Sequence, residues 1–209
     1  LSDFIGGNNS NNILDAYMGD GNTLVGSDGD DTLLGSSNGN DIFKAGILLS
    51  DGSIVDGDDG NNIINGVGGT SNTVDYSAYA SNRTIEVDLH SSNTVTKKLD
   101  GDIASAKTDT ITNITNITGG AGADTIIGSS AQNNTLKGEN SADTISGAAG
   151  DVKLSAEVGT IVYGSGAEVV EKFGEGVYAN DRTTYKVFET LERDYGGTND
   201  MAALDLVET

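Results

Sequence analysis

Along much of the chain, single large apolar residues recur at intervals of nine or ten, each preceded by a run of small and polar positions. The stretch "GGAGADTIIG" (119–128) shows the unit at its clearest. Two glycines are followed by a third, then by an aspartate and an isoleucine, each two residues further on. Glycine reaches backbone conformations closed to other residues and lets another backbone or an ion come close. Aspartate supplies a hard anionic oxygen, and isoleucine favours a dry pleated surface. A strand needs no glycine cluster, and a plain turn needs no aspartate at that offset.

Written as G-G-x-G-x-D-x-U-x, with U a large apolar residue, the frame returns repeatedly. "GGAGADTII" (119–127) fits every position, and "GSDGDDTLL" (26–34) fits with Ser27 for one glycine. "GENSADTIS" (138–146) keeps Gly138, Asp143 and Ile145. "GDDGNNIIN" (57–65) and "GGNNSNNIL" (6–14) keep the spacing, with Asn62 and Asn11 in the acidic place. "GSSNGNDIFK" (35–44) and "GSSAQNNTLK" (128–137) each carry one extra residue, placing Asp41 before Phe43 and Asn134 before Leu136. One match would be weak; several back to back indicate a repeat architecture.

The unit reads as a six-residue turn and a three-residue strand. Such a strand is too short to bury anything alone. Stacked, the strands form parallel ladders at ~4.8 Å spacing. The U positions Ile13, Leu33, Phe43, Ile64, Ile126, Leu136 and Ile145 then line a narrow core. Two units make one coil, so units i and i+2 stack on one side. That rule pairs Asp124 with Asp143, Asn11 with Asp31, and Asn22 with Asp41.

Composition turns this geometry into a charge problem. The 209 residues carry 11 Lys plus Arg against 32 Asp plus Glu, a net charge of -21. That charge repels nucleic acid and anionic membranes and attracts cations. Only 35% of residues are hydrophobic, a balance that favours disorder unless carboxylates are neutralised. No Cys is present, so neither disulfides nor thiolate metal sites can help. No apolar run is long enough to span a membrane, no amino-terminal signal peptide is evident, and a start at Leu1 suggests a fragment or processed product.

Two unit charges ~5 Å apart repel by roughly 3 kcal/mol at an effective dielectric of ~20. A Ca²⁺ between turns reverses that sign. It takes 6–8 oxygens and accepts backbone carbonyls beside carboxylates, whereas Mg²⁺ demands a tighter octahedron. Zinc prefers Cys and His, and the chain has one His. The expected side-chain ligands are Asp31, Asp41, Asp124 and Asp143. Carbonyls near Gly26, Gly29, Gly119, Gly122, Gly138 and Ser141 complete the expected shells. Asn11 and Asn62 keep an oxygen without the charge, as do Asn22 and Asn134. Their turns either bind calcium weakly or close through side-chain to backbone hydrogen bonds.

The nonapeptide G-G-x-G-x-D-x-U-x is the calcium-binding repeat of RTX proteins. The chain therefore resembles the RTX family of secreted bacterial proteins, best over residues 6–74 and 119–155. "NTVDYSAYASNRTIEVDLH" and "KTDTITNITNITGG" look like the longer segments that interrupt such repeats. The resemblance implies export through a type I system and folding outside the cell on calcium.

The expected fold is all-β: a right-handed parallel β-roll, interrupted in the middle, with a small mixed α/β cap. Four regions are expected: a first roll block (1–74), an irregular β insertion joining the stack (75–118), a second block (119–155) and the cap (156–209). In the insertion, "TIEVDL" places Ile85, Val87 and Leu89 on one strand face. In the cap, Ser165 and Glu168 have capping-box spacing, and Tyr185, Phe188, Leu191 and Tyr195 share a helical face.

The expected role is a structural part of a surface-layer protein or adhesin, at the cell surface or secreted. Other copies of the protein or a cell-surface polysaccharide are the further partners that role implies. The alternative is the carboxy-terminal folding and export module of a secreted toxin, protease or lipase. No intrinsic catalysis is expected. "GSSNG" (35–39) matches a nucleophile elbow, but it lies inside the repeat frame. His90 has no marked partners in the sequence, and "DGDDGN" (56–61) lacks the closing glutamate of an EF-hand.

Overall fold

The computed structural model describes residues 2–57, 60–100, 102–147, 152–155, 158–162 and 168–169. Short strands alternate between two sheets. The first stretch holds β1 (Phe4–Gly6), β2 (Ile13–Asp15), β3 (Thr23–Val25), β4 (Thr32–Leu34) and β5 (Ile42–Lys44). A small antiparallel hairpin of β6 (Ile47–Leu48) and β7 (Ile54–Val55) follows, then β8 (Ile63–Asn65) and β9 (Thr73–Asp75). The middle holds β10 (Arg83–Asp88), β11 (Thr94–Leu99) and β12 (Asp102–Thr112). The roll resumes with β13 (Asn116–Thr118), β14 (Thr125–Ile127), β15 (Asn134–Lys137) and β16 (Ala142–Ser146). It continues through β17 (Val152–Ser155), β18 (Val158–Val162) and β19 (Glu168–Val169).

One sheet runs β1-β3-β5-β9-β13-β15-β17-β19, all in chain order. The other runs β2-β4-β8-β12-β11-β10-β14-β16-β18. Rungs of the roll pair in parallel, as in Leu24 opposite Phe43 and Ile126 opposite Ile145. This is a parallel β-roll with an interruption. The interruption is a meander: β10, β11 and β12 pair antiparallel with one another and in parallel with β14 and β8 at its two edges. Three strands thus lie between β8 and β14 on one face, while β9 pairs directly with β13 on the other.

The core follows from the strand period. Each three-residue strand turns its middle residue inward, and Leu24, Leu33, Phe43, Ile64, Val74, Ile117, Ile126, Leu136 and Ile145 are all buried. Ile85, Val87 and Leu89 continue this lining from the meander. Tyr76 and Tyr79 add two fully buried rings, their centroids 5.4 Å apart. Arg83 lies over the Tyr79 ring and bonds Asp56 at 2.6 Å, which ties the meander to the first block.

Two expectations need correction. Ile13 is not a core residue: it is 77% exposed, and Leu14 takes the inward place opposite Leu33. The first unit therefore starts at Gly7, one residue later than the glycine pair suggests. The α/β cap is also not found, since no described residue is helical. Val158–Val162 instead pairs with β16, and Glu168–Val169 pairs with Lys153–Leu154. Of the capping-box segment from Ser165, only Glu168–Val169 are described, and they form a further rung. The second helical segment, around Tyr185–Tyr195, lies outside the described residues.

Candidate calcium centre

The residue two places before each inward-facing apolar residue builds the site. In one turn column these positions are Asn12, Asp31, Asn62 and Asp109, and beyond the meander Asp124 and Asp143. In the other column they are Asp3, Asn22, Asp41, Asn72, Thr115 and Asn134. Asn22, Asp31, Asp41, Asn62, Asp109, Asp124, Asn134 and Asp143 are all buried. A buried carboxylate must be hydrogen-bonded or paired.

The hydrogen bonds come from the preceding rung's backbone. Asn12 N–H donates to Asp31 Oδ1 at 2.8 Å, and Asp31 N–H to Asn62 Oδ1 at 2.8 Å. Asn62 N–H donates to Asp109 Oδ1 at 2.8 Å, and Asp124 N–H to Asp143 Oδ1 at 2.9 Å. The second column repeats this, with Asn22 N–H on Asp41 Oδ1 and Asp41 N–H on Asn72 Oδ1, both 2.8 Å. Each side chain also curls back over its own turn. Gly120 N–H donates to Asp124 Oδ2 at 2.8 Å, and Ser36 N–H to Asp41 Oδ2 at 2.7 Å.

That curl explains the leading glycine of each unit. A Cβ on Gly26, Gly119 or Gly138 would collide with the carboxylate of Asp31, Asp124 or Asp143 respectively. Gly29 has φ +114 and lies against Ser10 of the neighbouring rung, and a Cβ on Gly122 would strike the Arg83 carbonyl. Ser141 takes φ 77, and its hydroxyl donates to the Ala121 carbonyl at 2.7 Å. The second consensus glycine is replaced by Ser27 (φ 76) and Glu139 (φ 63), both left-handed. Such a conformation costs a non-glycine residue ~1–2 kcal/mol. Glu139→Gly is expected to stabilise the protein by about 1 kcal/mol after its own entropy cost. A rise in melting temperature both with calcium and with chelator checks this.

The order of acids and amides differs between the blocks. In the first block Asp31 sits between Asn12 and Asn62, and Asp41 between Asn22 and Asn72. Each acid has amide neighbours, so no repulsive step arises. Asp41 in addition receives the Asn22 side-chain amide at 2.9 Å and the Ser36 hydroxyl at 3.2 Å. The second block differs: Asp124 and Asp143 are consecutive in one column, 2% and 1% exposed. Burial pushes the Asp124 carboxyl up to about 6, outweighing the N–H groups of Ile85 and Gly120 that bond it. A cation beside the pair would offset both burial and repulsion.

The donor set fits a hard cation. It consists of carboxylates and turn carbonyls, with no Cys in the chain. Among the described residues no three Asp, Glu, His or Cys side chains converge on one point. A calcium ion here would therefore take most of its shell from carbonyls, as the glycine-rich turns allow. Asn11 is not at the sixth position, contrary to the sequence frame. It is exposed, and its Oδ1 accepts the Asp30 N–H at 3.1 Å. It opens an outer ladder, in which Asn61 N–H bonds Asp30 Oδ1 at 2.7 Å and Thr108 N–H bonds Asn61 Oδ1 at 2.8 Å. The sequence signal for this ladder is Asn or Asp just before the sixth position at 11, 30 and 61, and Asn40 does the same in the other column, accepting the Ser71 N–H at 3.0 Å. Asp109 was also missed, because it lies on a strand outside the nonapeptide frame. Ser37 lies in the turn between β4 and β5, and exposed His90 Nδ1 is 3.1 Å from Ser130 Oγ on the surface.

No curated protein matches the chain significantly. The family model described as the RTX calcium-binding nonapeptide repeat matches four copies, at residues 18–47 and 118–153. These matches span β3 to β5 and β14 to β16. On repeat, register and match together, the chain carries RTX-type calcium-binding nonapeptide repeats at 18–47 and 118–153.

Proposed function

We propose that this chain is a calcium-dependent structural module that works outside the cell, as part of a surface-layer protein or large adhesin. The observation that carries the calcium reading is the stacking of Asp124 directly on Asp143, both buried, in a turn column lined by glycines. Asp124 and Asp143 would hold the ion, with carbonyls of the 119–124 and 138–143 turns. The ion supplies charge neutralisation and cross-links two rungs; the chain supplies the oxygens and their spacing. The extracellular assignment follows from calcium supply, which is abundant outside cells and scarce in the cytosol. The acidic, cysteine-free, Thr- and Asn-rich composition suits a wall or matrix component.

Calcium titration followed by far-UV circular dichroism, with magnesium as control, tests the calcium half. Ordered lattices of the purified chain, or its retention on cell surfaces, test the structural half. A catalytic domain elsewhere in the parent protein would favour the folding and export reading instead. No intrinsic catalysis is proposed: esterase activity is expected to be absent, and activity lost on Ser37→Ala would overturn that.

A further inference from the structure

The meander places an ammonium group where the repeat would place a metal. Lys97 on β11 is 2% exposed, and Asp109 on β12 is fully buried. Lys97 Nζ bonds Asp109 Oδ1 at 2.7 Å and the Gly60 carbonyl at 2.7 Å. Gly60 is the fourth residue of the 57–65 unit, and Asp109 stands in the sixth-position column on the next rung. In the second block the corresponding oxygens are the carbonyl of Gly122 and the carboxylate of Asp143. Lys97 therefore bridges the same two kinds of oxygen that are assigned to calcium there. Asp109 is further fixed by Asn62 N–H at 2.8 Å and by the Tyr76 hydroxyl at 2.7 Å on Oδ2. A buried acid with one cation and two further donors is satisfied within the protein.

We propose, on the reading of these turns as calcium sites, that Lys97 is a tethered substitute for calcium at the join between the first block and the meander. The rungs around Gly60 and Asp109 then hold without metal, while the Asp124–Asp143 rungs need it. Removing the ammonium but keeping Asp109 uncovers a cation site. Lys97→Ala leaves space at the site, and Lys97→Met removes the charge but fills the space. Lys97→Met combined with Asp109→Asn removes both charges.

Hydrogen exchange of the intact chain, resolved by peptide, with calcium or with chelator, tests this. In the unsubstituted protein, residues 60–65 and 104–112 are expected to stay protected in chelator, while 124–146 lose protection by at least about tenfold. In Lys97→Ala, 60–65 and 104–112 lose protection in chelator and regain it with calcium, with one more calcium bound per chain. Lys97→Met loses protection and calcium does not restore it. The double variant is protected under both conditions. Calcium dependence of 60–65 in the unsubstituted protein would overturn the proposal. So would protection of Lys97→Ala in chelator, or its failure to recover with calcium while the double variant folds. If 124–146 ignore calcium in the unsubstituted protein, the calcium reading itself fails, and that is a separate result.

Discussion

Chelation at neutral pH is expected to unstack the second block, and addition of calcium, but not of equal magnesium, to rebuild it. The argument is electrostatic. Asp124 and Asp143 are consecutive in one column and buried, and two such charges ~5 Å apart repel by roughly 3 kcal/mol. Most of a small domain's net stability is only ~5–15 kcal/mol, so one uncompensated step matters greatly. Calcium bound to the folded rungs and not to the open chain adds its binding free energy to folding. Magnesium, held to a tight octahedron, cannot draw on the same scattered carbonyls. Circular dichroism should therefore show partial loss of β signal in chelator, because the amide-spaced ladders of the first block contain no repulsive step. A spectrum and melting temperature indifferent to calcium would refute this.

Replacing Asp143 is expected to give the next largest effect. Asp143→Asn keeps an oxygen for the Asp124 N–H and removes one charge, so it weakens calcium affinity yet relieves repulsion in the metal-free protein. Asp143→Ala also deletes the acceptor at 2.9 Å and strands a buried N–H. An unsatisfied buried donor costs ~1–3 kcal/mol, and this comes on top of the lost ligand. The expected order of calcium affinity is unsubstituted, then Asn, then Ala. In chelator the order changes, with Asn the most stable of the three. Asn134→Ala, in the other column, is expected to lower stability while leaving calcium affinity nearly unchanged. Calorimetric titration and thermal melting of the four proteins check both orders. Equal calcium affinity in all of them would remove Asp143 from the site.

The spacing of glycine, acid and apolar residue made the roll and the Asp124–Asp143 column legible, because each type is required by a local contact. The frame at 6–14 was not, because asparagines at both 11 and 12, and glycines at both 6 and 7, allow two registers. Burial chose between them by sending Leu14 inward. The β6–β7 hairpin and the meander obey no nine-residue period, so their pairings depend on long-range contacts that the local pattern does not encode. Lys97 reads as an ordinary polar position on a strand until the turn of residues 57–62 is folded beside it. The helix expected from Ser165 had the right cap spacing, but Glu168–Val169 found a strand edge to extend. An unpaired edge outweighs a weak helical preference.

The meander also fixes the order in which the molecule can be assembled. The chain makes β10 first, yet β10 lies farthest from the first block, beside β14, whose residues come some forty positions later. Antiparallel neighbours joined by short turns close fast, whereas parallel pairing across a long loop is slow. The three strands therefore form as a unit and dock on β8 through β12. Only then does β10 present a correctly spaced edge on which β14 can pair. For a chain emerging amino terminus first, the finished first block is the template, the meander carries its edge across, and the rungs of the second block are laid down last.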